Sequence, residues 1–87
     1  MMAHRFESGR YLRELREALG LTLRDVHQES LIIAQKYGSR SFAIPPSRLH
    51  AIERKRAIPN IHRSYTLASI YACDLEDILW LYGVPRI

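Results

Sequence analysis

At 87 residues the chain has room for one compact domain and not for two that each bury a core, which excludes the large two-domain enzymes. Its 47% hydrophobic and 25% charged residues, with only 4 Gly and 4 Pro, match an ordinary globular protein and exclude a disordered or fibrous one. Thirteen bases against nine acids give a formal charge of +4, and 11 of the bases are Arg, whose planar fork suits phosphates and base edges.

The charge is uneven. Arg48, Arg54, Lys55, Arg56 and Arg63 stand against the single acid Glu53, whereas Asp74, Glu76 and Asp77 make the C-terminal part acidic, so one basic face is expected. Runs without a polar residue, such as Leu31 to Ala34, fall far short of the roughly 18 residues that span a bilayer, so no membrane segment is expected. Met1 to Glu7 has no apolar stretch of the kind a secretory leader needs, and the lone Cys73 cannot form an internal disulfide; both fit a reducing, cytoplasmic setting.

The spacing of Leu12, Leu15, Ala18 and Leu19 predicts a first helix from about Gly9 to Leu19, stopped by Gly20. Thr22, with Asp25 three residues on, reads as a capping box opening a second helix. That helix carries Leu23, Val26, Ser30, Ile33 and Tyr37 on one face and runs to about Lys36, with Gly38 as its left-handed C-terminal residue. Ser39 to Ala43 reads as a loop. Pro45 and Pro46 lack backbone donors and so fit only the very start of a helix, which places a third helix from near Pro46 into Glu53-Arg54-Lys55-Arg56, before a turn at Ala57 to Pro59. Asn60 caps a fourth helix bearing Ile61, Tyr65, Ala68 and Tyr71 or Ala72. Asp74 and Asp77 cap a fifth that reaches Tyr82-Gly83, with Leu75, Ile78, Leu79 and Tyr82 as its core stripe. No segment reads as a strand, so the expectation is one all-α domain over residues 1–87, with its core in about 9–83.

The third helix separates its faces. At about 100° per residue, Leu49, Ile52 and Glu53 share one side, Ser47, Ala51 and Arg54 lie opposite, and Arg48, His50 and Lys55 flank them. A helix entering a groove about 12 Å wide needs small residues near the bases and long cations near the phosphates, and this face offers both.

A first helix with Leu12, Arg13, Leu15 and Arg16, and a third that ends Ile52-Glu53-Arg54 a few residues before Ile58-Pro59, resembles the phage-repressor-like helix-turn-helix family, also called the Cro or xenobiotic-response-element type. The resemblance runs from about Gly9 to Gly83. It implies a five-helix lambda-repressor-like DNA-binding domain that docks its third helix, about residues 46–55, in the major groove of double-stranded DNA, usually as a homodimer, and acts as a transcriptional regulator. Carried over residue by residue, the base-facing positions fall on Pro46, Ser47 and Ala51, with Arg48 and His50 at the groove's edge. Phosphate contacts fall on Thr22, Leu23, Arg54, Lys55 and Arg56, and Arg16 pairs with Glu53 as a structural tie. Ser47 can make one hydrogen bond and Ala51 can touch a thymine methyl, but neither makes a bidentate base contact, so specificity is expected from Arg48, His50 or DNA shape. Arg54 to Arg56 also read as a solvated helix end whose cations suit the dipole.

The chain departs from the family between its second and third helices, where the 13 residues Leu31 to Ala43 replace a short turn. Leu31, Ile32, Ile33, Tyr37 and Phe42 are too apolar for a free loop, and Lys36 and Arg40 beside them could reach a DNA backbone. Two readings stand: an extended second helix packed on the domain, or a surface, including Ile33 and Phe42, that serves a protein partner or a second copy or that obstructs the groove. Pro45 also stands where the family has a Ser or Thr cap. On the fifth helix Trp80, Leu81 and Val84 lie off the core stripe and read as a homodimer contact, as further core, or as the seat of another domain.

Enzymatic signals are thin. His4, His27, His50, His62 and Cys73 have no metal-ligand spacing, and there is no glycine-rich phosphate loop or nucleophile elbow, so no metal, no cofactor and no catalysis are expected. Cys73 at a helix start could have a lowered thiol pKa, but a small buried spacer between helices four and five is the favoured role. A protein-interaction module of the same fold, antitoxin- or adaptor-like, and the DNA-binding part of a longer regulator are the alternatives to a free-standing regulator.

Overall fold

The computed structural model describes residues 5–86; Met1 to His4 and Ile87 lie outside them, and with them His4 and the reading of the first residues as no leader. Five α-helices form, α1 (Arg5–Ala18), α2 (Leu23–Tyr37), α3 (Pro46–Arg54), α4 (Ile61–Ile70) and α5 (Leu75–Leu81), with a single 3₁₀ turn, Arg40–Phe42, between α2 and α3. Among the described residues there is no strand, and no helix is long and apolar enough to cross a membrane. The all-α class expected from the sequence is therefore the one observed.

The local chemistry explains the helix ends. Thr22 Oγ1 accepts from the Asp25 amide at 3.0 Å while an Asp25 carboxylate oxygen accepts from the Thr22 amide at 2.9 Å, so two orphan donors of α2 are satisfied reciprocally. At its other end Gly38 sits at φ +65°, where its amide closes the helix onto Ala34 and Gln35 carbonyls. Asn60 Oδ1 takes the Arg63 amide at 2.8 Å to start α4. Asp77 accepts the Asp74 amide at 3.1 Å to start α5.

Leu12, Val26, Ile44, Leu49, Ile52, Leu67, Ala68, Tyr71 and Ile78 form one buried core. Around it α3 packs on α1 and α2, and α4 packs on α2 and α5. Gly9 makes the α1–α3 approach close: a Cβ there would lie 2.6 Å from the carbonyl oxygen of Glu53 and closer still to that of Ile52. Arg16 of α1 ties the same two helices, giving Nε to Glu53 Oε2 at 2.7 Å and its second terminal nitrogen to Oε1 at 2.9 Å.

Several expected faces are corrected. α1 begins before Gly9 and ends at Ala18, leaving Leu19 half in solvent at 49%. On α4 the expected Ala68, and Tyr71 just beyond it, are buried, but Ile61 and Tyr65 are exposed, and Ser64, Thr66 and Leu67 fill the inward side in their place. Hydroxyl chemistry allows this turn of the helix, because Ser64 Oγ donates to the Asn60 carbonyl at 2.8 Å and buried Thr66 donates to the Phe42 carbonyl at 2.7 Å, so neither is left unsatisfied. Tyr37, expected inward, is exposed. Leu81, expected off the core, is half-buried and packs on it, since the last turn of α5 meets the start of α1, where Ser8 donates to the Leu81 carbonyl.

Residues 39–43 are not a plain loop either. Ser39 caps the 3₁₀ turn through Ser41, and the segment is fastened by Arg63 Nε to the Ala43 carbonyl at 2.8 Å and by the Ile44 amide to Ser30 Oγ at 2.9 Å. Phe42 stacks among Tyr37, His62 and Tyr65 with ring centroids 5.3, 4.9 and 5.8 Å away. The extended α2 packs on the domain through these rings, while Leu31 and Ile32 stay exposed on its outer side.

Candidate nucleic-acid interface

α3 starts without a side-chain cap. Pro45 occupies the N-cap position and Pro46 the first helical one, so the next amides with no intrahelical acceptor are those of Ser47 and Arg48. Leu49, Ile52 and Glu53 are buried; Pro46, Ser47, Arg48 and Arg54 are exposed; His50 and Ala51 are half-buried. Lys55 and Arg56 continue the exposed side just beyond the helix, and Arg56 holds φ at +61°, a left-handed backbone that costs a non-glycine residue about 1–2 kcal/mol. The helix presents the small and cationic residues on one side and spends its only acid on the other.

Glu53 is neutralised where it is buried. Its side chain is 1% exposed, and the two hydrogen bonds from Arg16 meet both carboxylate oxygens, which raises the Arg16 pKa further above its ordinary value. Arg16 also donates to the Leu21 carbonyl at 2.8 Å, so the same guanidinium fixes the α1–α2 turn. The outcome for charge extends beyond α3: between Glu29 and Asp74 the chain has no acid other than Glu53, but it has Lys36, Arg40, Arg48, Arg54, Lys55, Arg56 and Arg63. That span with a single acid was readable in the sequence as a wider signal than the local run at Arg54 to Arg56.

At the start of α2, Thr22 is exposed, and Leu23 is half-buried against the core, so Leu23 can offer a phosphate only its backbone amide. The Asp25 carboxylate closes this helix end and its pKa is lowered, first by the Thr22 amide and then by the Thr22 hydroxyl. Negative charge therefore already sits there, and exposed Arg24, which the sequence reading passed over, is the cation beside it.

Towards the C-terminus, Trp80 and Val84 are exposed, and Trp80 borders a cleft of about 540 Å³ with Tyr11, Leu15, Tyr71 and Leu81. Ile33 and Phe42 are both half-buried, Phe42 within the ring cluster. Cys73 is half-buried and its thiol pKa is raised, by burial first and then by Asp77 and Asp74, in keeping with a small spacer between α4 and α5. Among the described residues no group of three or more His, Cys, Asp or Glu side chains could hold a metal ion. Comparison with protein-family models, with curated proteins and with solved structures gives no match to this chain.

Proposed function

We propose that the chain is a cytoplasmic, sequence-specific DNA-binding transcriptional regulator with a lambda-repressor-like arrangement, which lays α3 in the major groove and binds as a homodimer through the Trp80 and Val84 face. The carrying observation is the outer side of α3. It is small and cationic from Pro46 to Arg56, its single acid is turned inward and neutralised by Arg16, and Gly9 lets α1 hold the helix at a fixed distance. Arg48 and His50 are then the groove-edge readers, Ser47 and Ala51 the close contacts, and Arg54, Lys55 and Arg56 the phosphate clamps.

The test is binding to random-sequence and genomic duplexes across a salt series. The expected result is a steep log-log slope, reduced by about two units in the Arg54→Ala, Arg56→Ala double variant, with enrichment of a palindromic sequence. Shallow binding that the variant leaves unchanged refutes the reading. A second reading, a protein-interaction module on the same fold, is favoured by the exposed Leu31 and Ile32 on α2; it predicts capture of a protein partner that Ile32→Ser abolishes.

A further inference from the structure

We infer that the 31–43 insertion is a second backbone clamp: Lys36 and Arg40 contact the phosphates of the duplex outside the groove that α3 occupies, lengthening the footprint of each half-site. The inference rests on the DNA-binding reading above and adds to it a contact that the α3 face does not supply.

Three observations carry it. First, Lys36 and Arg40 are exposed and, among the described residues, neither lies within ion-pair distance of a carboxylate; the one close partner of Lys36 is the Tyr37 ring, 5.4 Å from Nζ to the centroid. They lie in the stretch between Glu29 and Asp74, whose single acid, Glu53, is buried against Arg16.

Secondly, the insertion holds these cations rigidly. Tyr37 and Tyr65 hydroxyls meet at 2.9 Å, the Phe42 ring sits among Tyr37, His62 and Tyr65, and the Phe42 and Ala43 carbonyls and the Ile44 amide are each taken by a side chain of another helix. A connection that merely joined α2 to α3 would need only a few residues and no such fastening. Cations whose backbone is already fixed lose less freedom when they meet a phosphate.

Thirdly, the reach fits. Arg40 stands six positions before Pro46, which limits their Cα distance to about 22 Å even fully extended, less than the roughly 34 Å of one duplex turn. Arg40 therefore falls on the same half-site as α3, with Lys36 four positions before it.

The experiment compares the full chain with a Lys36→Gln, Arg40→Gln double variant and, as a charge-matched control on α1, an Arg10→Gln, Arg13→Gln double variant, on one duplex selected by the unmodified chain. Circular dichroism confirms folding of each. The expected result is a salt slope about 1.8 units shallower for the insertion variant, affinity about 10- to 100-fold weaker at 0.1 M salt, and hydroxyl-radical protection shortened at the edge of the footprint, with the α1 control nearly unchanged. An unchanged slope in the insertion variant overturns the clamp while leaving α3 binding standing. Equal losses in both variants also overturn it, since net charge would then explain the effect. Absence of duplex binding by the unmodified chain removes the function and the clamp together, and an acidic protein partner would then be sought on Lys36 and Arg40.

Discussion

Arg16 grips both carboxylate oxygens of Glu53, at 2.7 and 2.9 Å, from one helix to the next, and both side chains are nearly buried, at 10% and 1% exposed. Such a pair repays its desolvation only while both partners are present. Arg16→Ala leaves a carboxylate buried without its partner and is expected to cost about 3–5 kcal/mol, a large share of the roughly 5–15 kcal/mol that a small domain has. Arg16→Met with Glu53→Leu removes both charges and is expected to recover most of that loss. Urea unfolding of Arg16→Met, Glu53→Leu and the double variant reads the coupling; additive losses would show that the pair is not a unit.

Gly9 faces the end of α3, where a Cβ would come within 2.6 Å of the Glu53 carbonyl oxygen and nearer to that of Ile52. Both obstacles are backbone and cannot rotate aside, so Gly9→Ala must push α1 and α3 apart. The expected cost is about 1–3 kcal/mol, as for an overpacked core. Thermal unfolding gives the loss, and the duplex assay should show weaker binding at a temperature where the variant is still fully folded, because α3 has been displaced. A variant with unchanged stability would show that the approach is looser than the geometry implies.

Much of the fold was legible because helix ends obey local chemistry: Thr22 with Asp25, Gly38, Asn60, and Pro46 at the first turn of α3 all act as their residue types dictate. The inward side of α3 followed from spacing alone. The α4 face did not, since apolarity ranks Ile61 and Tyr65 above Ser64 and Thr66, whereas two buried hydroxyls became acceptable once carbonyls at Asn60 and Phe42 were available to them. Phe42 lies 24 residues from Thr66, so no local pattern could show that bond. For the same reason the insertion read as part helix and part loop. The closeness at Gly9 left no mark beyond a glycine near a helix start. The exposed cations were easy to read, because charged side chains need no tertiary partner to stay in water.

Asp25 illustrates a pH effect with a definite sign. The Thr22 amide, then the Thr22 hydroxyl, hold its carboxyl below the ordinary range, so its folded pKa is lower than its unfolded one. The stabilisation is therefore complete above the unfolded value of about 4 and is lost as pH falls through the folded value. Asp77 behaves in the same direction, chiefly through Arg86 and then the Asp74 amide. Carboxyl carbon titration by NMR should place both aspartates below the ordinary carboxylate range, and Thr22→Ala, which removes the hydroxyl but keeps the amide, should return Asp25 part of the way while weakening the α2 cap by about 0.5–2 kcal/mol. An Asp25 midpoint that Thr22→Ala does not move would refute the hydroxyl's share and leave the Thr22 amide as the cause.

Two non-glycine residues hold left-handed backbone, Arg56 at φ +61° and Ala72 at φ +57°, and only one of them stands on the proposed DNA face. Ala72 follows α4, where the Cys73 amide reaches back to the Ala68 carbonyl at 3.0 Å, a chain reversal that glycine makes without strain. Ala72→Gly should therefore stabilise by about 0.5–1 kcal/mol, net of glycine's extra freedom when unfolded, and raise Tm by a few degrees. Duplex affinity should not change. Arg56→Gly relaxes the same kind of backbone but removes a cation of the proposed phosphate clamp, so on that proposal its salt slope should fall by about 0.9. Calorimetry and the duplex assay on both variants separate strain from contact: a slope change in Ala72→Gly, or none in Arg56→Gly, would move the DNA face away from the end of α3.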